Sequence, residues 1–407
     1  MKNFEKKARA YALKNALAHD GKAQLGTVIS SLFHDGLKKN DVGKYVKEIS
    51  KIVSEVNSLS LEKQESEFEN IKDGISERKG REGLEELPNV PKKGVIMRFA
   101  PSPSGPFHVG HALTASLSYL YVKKYGGKLI IRIEDTNPEN IYPPAYKMIE
   151  KESNWLFKNE VEFHIQSYRM KIYYDYVEKL IKKKAAYVCI CEKDEFEKNL
   201  EIGGCPCRYF NDIKSDLHRW KLMLSKDKKH RYEEGDAVLR FRTPESEGGT
   251  KHKNPAMRDF PLARINETKH PLQKNRYRVW PLMNLAVAVD DIEMKITHII
   301  RAKDHRDNAK RQEMMFKVFG KKFPWTGFLG RINFKDFELS TTKTRKAIEE
   351  GKYSGWDDSR LPTIQNLKKK YKPRAFWKFA EQIGLSENDK TMEQKEFFTL
   401  LDSFNKS

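Results

Sequence analysis

Cysteine is scarce in this chain of 407 residues: there are four, all between positions 189 and 207. A disulfide framework spread through the fold is therefore excluded, and the length allows two or three domains that each bury a core of their own. Long apolar runs are missing as well. No stretch approaches the roughly 20 apolar residues of a membrane span, and residues 1–9 lack the hydrophobic core of a secretory signal, so a cytoplasmic protein without a membrane partner is expected. Acidic residues fall short of basic ones, 57 Asp plus Glu against 77 Lys plus Arg, which leaves a net charge of +20. That imbalance suits a polyanionic partner, because cationic side chains on a phosphate backbone release its counterions. A solubilising surface explains the charge equally well on composition alone.

What the chain does have is concentrated in residues 95–135. Residues 95–99 form a short apolar run of β-formers, residues 100–107 a turn rich in Pro, Ser and Gly, and residues 110–125 read as a helix stopped by Gly126-Gly127. Residues 128–135 return as a strand, completing a βαβ unit whose loop and helix N-terminus offer N–H groups and a positive dipole end to an anion. His108 and His111 flank Gly110 there: the imidazoles add donors for phosphate oxygens, and the glycine lets a flat base approach the backbone. A bare H-x-G-H reads as a helix start with capping or packed histidines. With Arg98 to Gly105 ahead of it and Arg132-Ile133-Glu134-Asp135 behind, the loop reads as an ATP site.

The cysteines stand as Cys189-x-Cys191, a gap of thirteen residues, then Cys205-x-Cys207. Two such pairs converging give four thiolates, the ligand set of a structural Zn²⁺ that contributes folding free energy directly. In a reducing compartment the competing reading is four buried thiols without metal.

The run R-F-A-P-S-P-S-G-P-F-H-V-G-H-A followed by I-R-I-E-D-T-N resembles the signature of class I glutamyl-tRNA synthetases. The resemblance continues through Gln166-Ser167, Ala186-Tyr187-Val188-Cys189, Lys253 to Asp259, Ala286 to Asp291, Arg301-Ala302-Lys303-Asp304-His305, Leu339 to Lys343 and Trp356-Asp357-Asp358. It covers roughly residues 94–363 in family order, with the archaeal branch the nearer, and it implies an α/β fold with a Rossmann-like catalytic domain. It further implies glutamate, ATP with Mg²⁺, and tRNA for glutamate as partners. Pro101, Ser102, Pro103, Gly105, His108, Gly110, His111 and Lys343 are then the ATP-binding set, and His108, His111, Lys343 and Arg345 the groups that hold phosphates during reaction. The mobile loop of the family usually reads K-M-S-K-S, whereas Leu339-Ser340-Thr341-Thr342-Lys343 drops both lysines of that pattern and leaves Lys343 as a displaced substitute. For glutamate the resemblance implies Arg98, Ala100 and Ser102 beside the substrate, Glu134 on its ammonium group and Arg301 on its side-chain carboxylate. Without the motif, Glu134 reads as an exposed carboxylate. A guanidinium pairs bidentately with a carboxylate and opposes the donors of an amide, so glutamate is preferred over glutamine. Met283 stands where relatives commonly place a tyrosine that lines the pocket, and Asn284 reads either as a hydrogen-bonding pocket residue or as a packed strand residue.

Around that core the expected organisation has five parts. Residues 1–90 form an N-terminal helical domain, in which Val42, Tyr45, Val46, Ile49, Ile52, Val53 and Val56 mark one helix face, with a boundary near residues 87–93. The function of this extension is open between auxiliary tRNA contact and stabilisation. Residues 94–187 form the first catalytic half, 188–280 an inserted domain that in the resembled family grips the tRNA acceptor end, 281–330 the second half, and 331–407 the signature loop with a helical stem-contact region. In that last part Pro373 and Gly384 bound one helix, and Thr391 with Gln394 resembles the capping box of another.

Full-length archaeal relatives continue into two anticodon-reading β-barrels, and this sequence ends before any comparable strands. Selection then rests on the acceptor arm, on a separate anticodon-binding polypeptide, or the gene is incomplete. Alternatives to the ligase are a shortened paralogue that glutamylates a modified tRNA base or another carrier, and a non-catalytic tRNA-binding module. A monomer is expected, since nothing resembles a dimer interface.

Overall fold

A computed structural model describes residues 4–75 and 83–406, and it divides into one unit ending at Glu82 and a second beginning at Gly83. The first unit holds four helices, α1 (Phe4–Leu17), α2 (Leu25–His34), α3 (Val42–Asn57) and α4 (Leu61–Ile71). Its α3 is the helix whose 3–4 spacing marks a single apolar face: Ile49, Ile52, Val53 and Val56 are buried against Ala8, Ala12, Leu13 and Ala16 of α1. Alanines at the contact let the helix axes approach closely, and the fully buried Gln64 of α4 donates to the Gly21 carbonyl at 3.0 Å and the Val56 carbonyl at 2.8 Å.

In the second unit β1 (Val95–Phe99) leads into α5 (Val109–Tyr125) and β2 (Gly127–Ile133). Gly94 and Gly127 sit at positive φ, where the strands begin so close together that a Cβ on either would strike the partner backbone. The chain goes on through α6 (Ala145–Leu156), β3 (Val161–Ile165), α7 (Met170–Lys182), β4 (Ala186–Cys189), α8 (Lys193–Glu201), α9 (Pro206–Phe210) and α10 (Ile213–Leu224). After β5 (Val238–Phe241), β6 (Pro261–Ile265) and β7 (Val279–Pro281) come α11 (Met283–Glu293), β8 (His298–Ala302), α12 (Arg306–Val318), β9 (Trp325–Leu329) and β10 (Ile332–Phe334). The last elements are α13 (Thr341–Glu349), α14 (Ile364–Leu367), α15 (Pro373–Ile383), β11 (Lys390–Met392) and α16 (Gln394–Lys406).

The main sheet is parallel throughout, with strand order β3-β2-β1-β8-β9. The chain winds outward from β1 to β3 and then returns to the other side of β1, so the direction of winding reverses between β1 and β8. Ligands of open α/β sheets bind in the crevice at the carboxyl ends of the strands at such a reversal. Between the two halves, β4-β5-β6-β7 form a separate antiparallel sheet. Its core is shared with α7, α11 and α12, whose Met170, Tyr173, Leu285, Ala286, Met314 and Met315 are buried in the same cluster as Leu239 and Trp280.

Two expectations change here. Asn284 lies in the first turn of α11, so it is not a packed strand residue. Thr391 is not a helix cap: it pairs with Asn333 in the β10–β11 ladder, and the first helical N–H, that of Gln394, donates to Asp336 Oδ1 at 3.1 Å instead. A short edge pairing with a chain segment distant in sequence outweighed the local capping signal.

The loop ahead of α5 is held from two sides. The Phe107 carbonyl accepts from the Ile364 N–H at 2.7 Å and the Val109 N–H donates to the Pro362 carbonyl at 3.0 Å, a strand-like clasp from the segment after Trp356. From below, Glu152 of α6 accepts the Phe107 N–H at 2.6 Å while almost wholly buried. Burial pushes its carboxyl up to about 8 against the pull of that N–H and of Lys368. A carboxyl raised in the folded state favours folding at low pH, and this contribution disappears as pH rises from the unfolded value toward the folded one. Replacing Glu152 by Gln keeps the acceptor and removes the titration. We expect the stability of Glu152→Gln relative to the parent to rise by about 2 kcal/mol between about pH 6 and about pH 8, read from urea midpoints at the two pH values.

Candidate active site

The carboxyl end of β1 opens into the loop that carries His108. As the N-cap of α5, with extended φ −98 and ψ 171, His108 accepts the Gly110 N–H on Nδ1 at 3.1 Å, which leaves its proton on Nε2 when the ring is neutral. The His111 ring stacks on it with centroids 3.7 Å apart and an interplanar angle of 22°. Burial and the neighbouring His111 hold the His108 pKa well below the usual imidazole range, and burial brings His111 down to about 4. Both shifts favour the neutral rings, which offer N–H donors rather than cations. His111 Nδ1 is buried with no partner among the described residues. The glycine between them is needed for a reason beyond the approach of a base: a Cβ at Gly110 would stand 3.0 Å from His108 Cε1. At Gly105 a Cβ would strike Thr341 of the signature loop and Trp356, so this glycine serves close packing behind the cavity.

A cavity of about 1110 Å³ lies at the carboxyl ends of β1, β2 and β8. Arg98, Ala100, Pro101, Ser102, His108, Gly110, His111, Glu134, Met283 and Arg301 line it, so the loop expected for ATP and most of the set expected for glutamate share one space. Pro103, Gly105, Asn284, Lys343 and Arg345 are not among its lining residues. Lys343 lies in the first turn of α13, where the Ser340 hydroxyl caps its N–H, and its Nζ pairs with Glu338 at 2.7 Å, both side chains largely exposed. Arg345 sits over the Tyr142 ring at 5.6 Å and pairs with Glu349 at 3.8 Å.

Charge in the floor of the cavity is set by one network. Asp291 of α11 accepts from Arg98 at 3.2 and 3.3 Å and from Arg132 at 2.6 Å, all three side chains buried. Burial works against its charge, yet Arg98 and Arg132 hold its carboxyl below the ordinary value. Asp290 accepts from Arg169 at 2.7 Å, Tyr173 at 2.8 Å and Gln166 at 3.0 Å. Glu134 follows β2 and receives Arg132 Nη2 at 3.3 Å; burial raises its carboxyl against the pull of Arg132, Arg98 and Arg301. It is half-buried in the cavity wall rather than an exposed carboxylate. Asp135 beside it accepts from the Ser167 N–H, the Ser167 hydroxyl and Tyr146, so Ser167 of the Gln166-Ser167 pair fastens the strand end while Gln166 meets Asp290.

Arg301, at the end of β8, differs from its neighbours. Its side-chain hydrogen bond is neutral, Nη1 donating to Gln312 at 2.9 Å, and its Nε is buried with no partner among the described residues. Burial and the adjacent Arg98 pull its pKa down to about 9, a sign of a cation short of compensating charge. Gln312 and the cavity-lining His305, whose imidazole burial and Arg301 bring down to about 4, were not singled out from the sequence. His305 closes the Arg301-to-His305 motif run but was given no role there, and Gln312 lies outside every motif; the convergence of α12 on β8 is what brings Gln312 to Arg301.

Away from the cavity, Cys189, Cys191, Cys205 and Cys207 come together with their Sγ atoms within 4.8 Å of one another, three of the separations being 3.3, 3.4 and 4.0 Å. Four thiolates about 2.3 Å from a tetrahedral Zn²⁺ lie about 3.8 Å apart, so the donor set and its spacing fit that ion. Arg219 donates to Cys207 Sγ at 3.5 Å, which favours a thiolate there.

Residues 94–403 match the family model described as tRNA synthetases class I (E and Q), catalytic domain. The glutamate–tRNA ligase of Methanothermobacter marburgensis is 42% identical over 395 residues, covering 96% of this chain and 69% of the relative. That of Pyrococcus furiosus is 43% identical over 400 residues, covering 95% and 68%, and that of Methanocaldococcus jannaschii 40% identical over 389 residues, covering 95% and 68%. The parallel sheet, the loop at its winding reversal and these similarities agree, and the chain belongs to the class I tRNA synthetases of the glutamate and glutamine type.

Proposed function

We propose that the protein is a glutamate–tRNA ligase that activates glutamate with ATP and transfers the glutamyl group to the 3′ end of tRNA for glutamate. The observation that carries this reading is Arg301: a buried guanidinium in the cavity wall whose hydrogen-bond partner is a neutral amide. Its Nε and Nη2 share the edge with which a guanidinium takes a carboxylate in bidentate fashion. A γ-carboxylate there supplies the missing charge, whereas the amide of glutamine sets N–H groups against N–H groups. Glu134 takes the α-ammonium group, Arg98 with Ala100 and Ser102 bounds the reacting carboxylate, and Met283 fills the side of the pocket.

The reaction is mostly alignment and charge neutralisation. A carboxylate oxygen of glutamate attacks the α-phosphorus of ATP, the bond to the β-phosphate oxygen breaks, and pyrophosphate leaves. A terminal ribose hydroxyl then attacks the acyl carbon, and AMP leaves. The His108 and His111 imidazoles, Gly110 and the N-terminus of α5 hold phosphate oxygens as donors, above a loop shaped by Pro101, Pro103 and Gly105. Mg²⁺ bound with ATP adds charge neutralisation. Lys343 and Arg345 reach the phosphates from the signature loop. The Lys343–Glu338 pair that holds the lysine aside is solvent-exposed, and such pairs contribute about 1 kcal/mol or less, so exchanging Glu338 for a phosphate costs little. The inserted sheet grips the acceptor end, residues 331–407 contact the stem, and the four cysteines hold a structural zinc that fixes α8 and α9 against β4.

Purified protein is expected to exchange pyrophosphate in the presence of glutamate, ATP and tRNA; no exchange would refute the reading. Arg301→Gln should lower kcat/KM for glutamate by about a hundredfold or more, since breaking one partner of a desolvated charge pair costs about 3 to 5 kcal/mol. Elemental analysis should find one zinc per chain, and Cys205→Ser should retain less than about a tenth of it while melting the inserted region at lower denaturant.

A further inference from the structure

Gln312 of α12 is fully buried and touches two residues of the proposed glutamate site from opposite ends of its amide. Arg301 Nη1 donates to its Oε1 at 2.9 Å, and its Nε2 donates to Asn284 Oδ1 at 3.2 Å. A guanidinium offers donors only, so the direction of this amide is fixed: oxygen toward Arg301, nitrogen toward Asn284. The constraint passes on to Asn284. With its oxygen occupied, the polar group left to it is Nδ2–H₂, which has no partner among the described residues. Arg301 and Asn284 come from β8 and α11, so the single amide on α12 sets the polarity of two elements.

The neutrality of Gln312 matters as much as its direction. A carboxylate in its place would pair with Arg301 inside the protein and cancel the charge that waits for a ligand. It would also offer only oxygens to Asn284, turning that amide round so that its oxygen faces away. A hydrocarbon would leave Arg301 Nη1 buried without an acceptor and its rotamer unheld. We propose that Gln312 is a positioning residue for side-chain specificity: held in a fixed orientation by Asn284, it orients Arg301 without neutralising it, so that the pocket takes an anionic oxygen and rejects an amide. This rests on the glutamate reading of the site, and the low pKa of Arg301, near 9, accords with a cation kept unpaired by its surroundings.

The test compares the parent with Gln312→Glu and Gln312→Met in tRNA-dependent pyrophosphate exchange, using glutamate and glutamine as substrates. For Gln312→Glu we expect KM for glutamate to rise by about tenfold or more and the glutamate-to-glutamine ratio of kcat/KM to fall by at least as much, with KM for ATP within about twofold of the parent. Gln312→Met, which adds no charge, should raise KM for glutamate with a smaller loss of discrimination, and it carries the test alone if the charged variant does not fold. General damage to the fold would instead move kcat and KM for ATP together, without a selective change in discrimination, and would count against the proposal. A parent that activates glutamate while both variants keep its KM for glutamate and its ratio would overturn the role of Gln312. A parent silent with glutamate would remove the glutamate reading, and this inference with it.

Discussion

The site depends first on two adjacent carboxylates, Asp290 and Asp291, buried on α11 beneath the sheet. Asp291 joins Arg98 of β1 to Arg132 of β2, and Asp290 joins Arg169 and Tyr173 at the start of α7. Segments nearly two hundred residues apart in sequence are thereby pinned to one helix. Ion pairs this deep need every partner. Removing Asp291 would leave Arg98 without its carboxylate and Arg132 with only the longer contacts to Glu134 and Asp290, at a cost of about 3 to 5 kcal/mol. The same helix begins with Met283 and Asn284, so the anchoring of its middle also sets where its N-terminus meets the cavity.

That network also decides which charges are available to a substrate. Arg98 and Arg132 both pair with Asp291, and Arg132 lends a further hydrogen bond to Glu134. Arg301 stands outside the pairing, bonded to the neutral Gln312. In a buried setting of several arginines and aspartates, one cation without a carboxylate is a selective feature. Its attraction for an anion is less screened than at the surface because the side chain is buried, and the adjacent Arg98 makes the charge more costly to leave alone.

Much of this was legible in the sequence because the informative residues are local. The strand at residues 95–99, the loop that follows and the helix stopped by Gly126-Gly127 carry their signals within about thirty residues, and the structure keeps those elements in place. The four cysteines likewise declare themselves by spacing and meet at one point. Other features depend on contacts between distant segments. Gln312 lies in a polar helix with no motif, and its meaning comes only from β8 and α11 converging on it. Thr391 obeyed a local capping pattern that β10, nearly sixty residues earlier, overrode by pairing with it. Glu134 reads as an exposed carboxylate by itself and becomes half-buried only because Arg132 and the cavity wall enclose it.

The two ends of the cavity solve opposite problems. At the proposed amino-acid end Arg301 is a guanidinium bonded to a neutral amide, which on that reading favours an anionic side chain before chemistry begins. At the proposed nucleotide end burial favours the neutral forms of the stacked His108 and His111, so the loop before α5 offers hydrogen-bond donors and a helix N-terminus. A cationic loop would bind any polyphosphate, pyrophosphate included, and would slow its departure. On the proposed reading, Lys343 and Arg345, held on partners outside the cavity, add cations that arrive with the triphosphate and withdraw with the leaving group, beside the Arg331, Lys335 and Lys390 that line the cavity. Interactions made more strongly during phosphoryl displacement than before it are those that accelerate the step. On the proposed reading the loss of both lysines from the usual loop pattern is tolerable, because what the chemistry requires is a mobile cation within reach, and among the described residues Lys343 is held aside by one exposed ion pair, with Glu338.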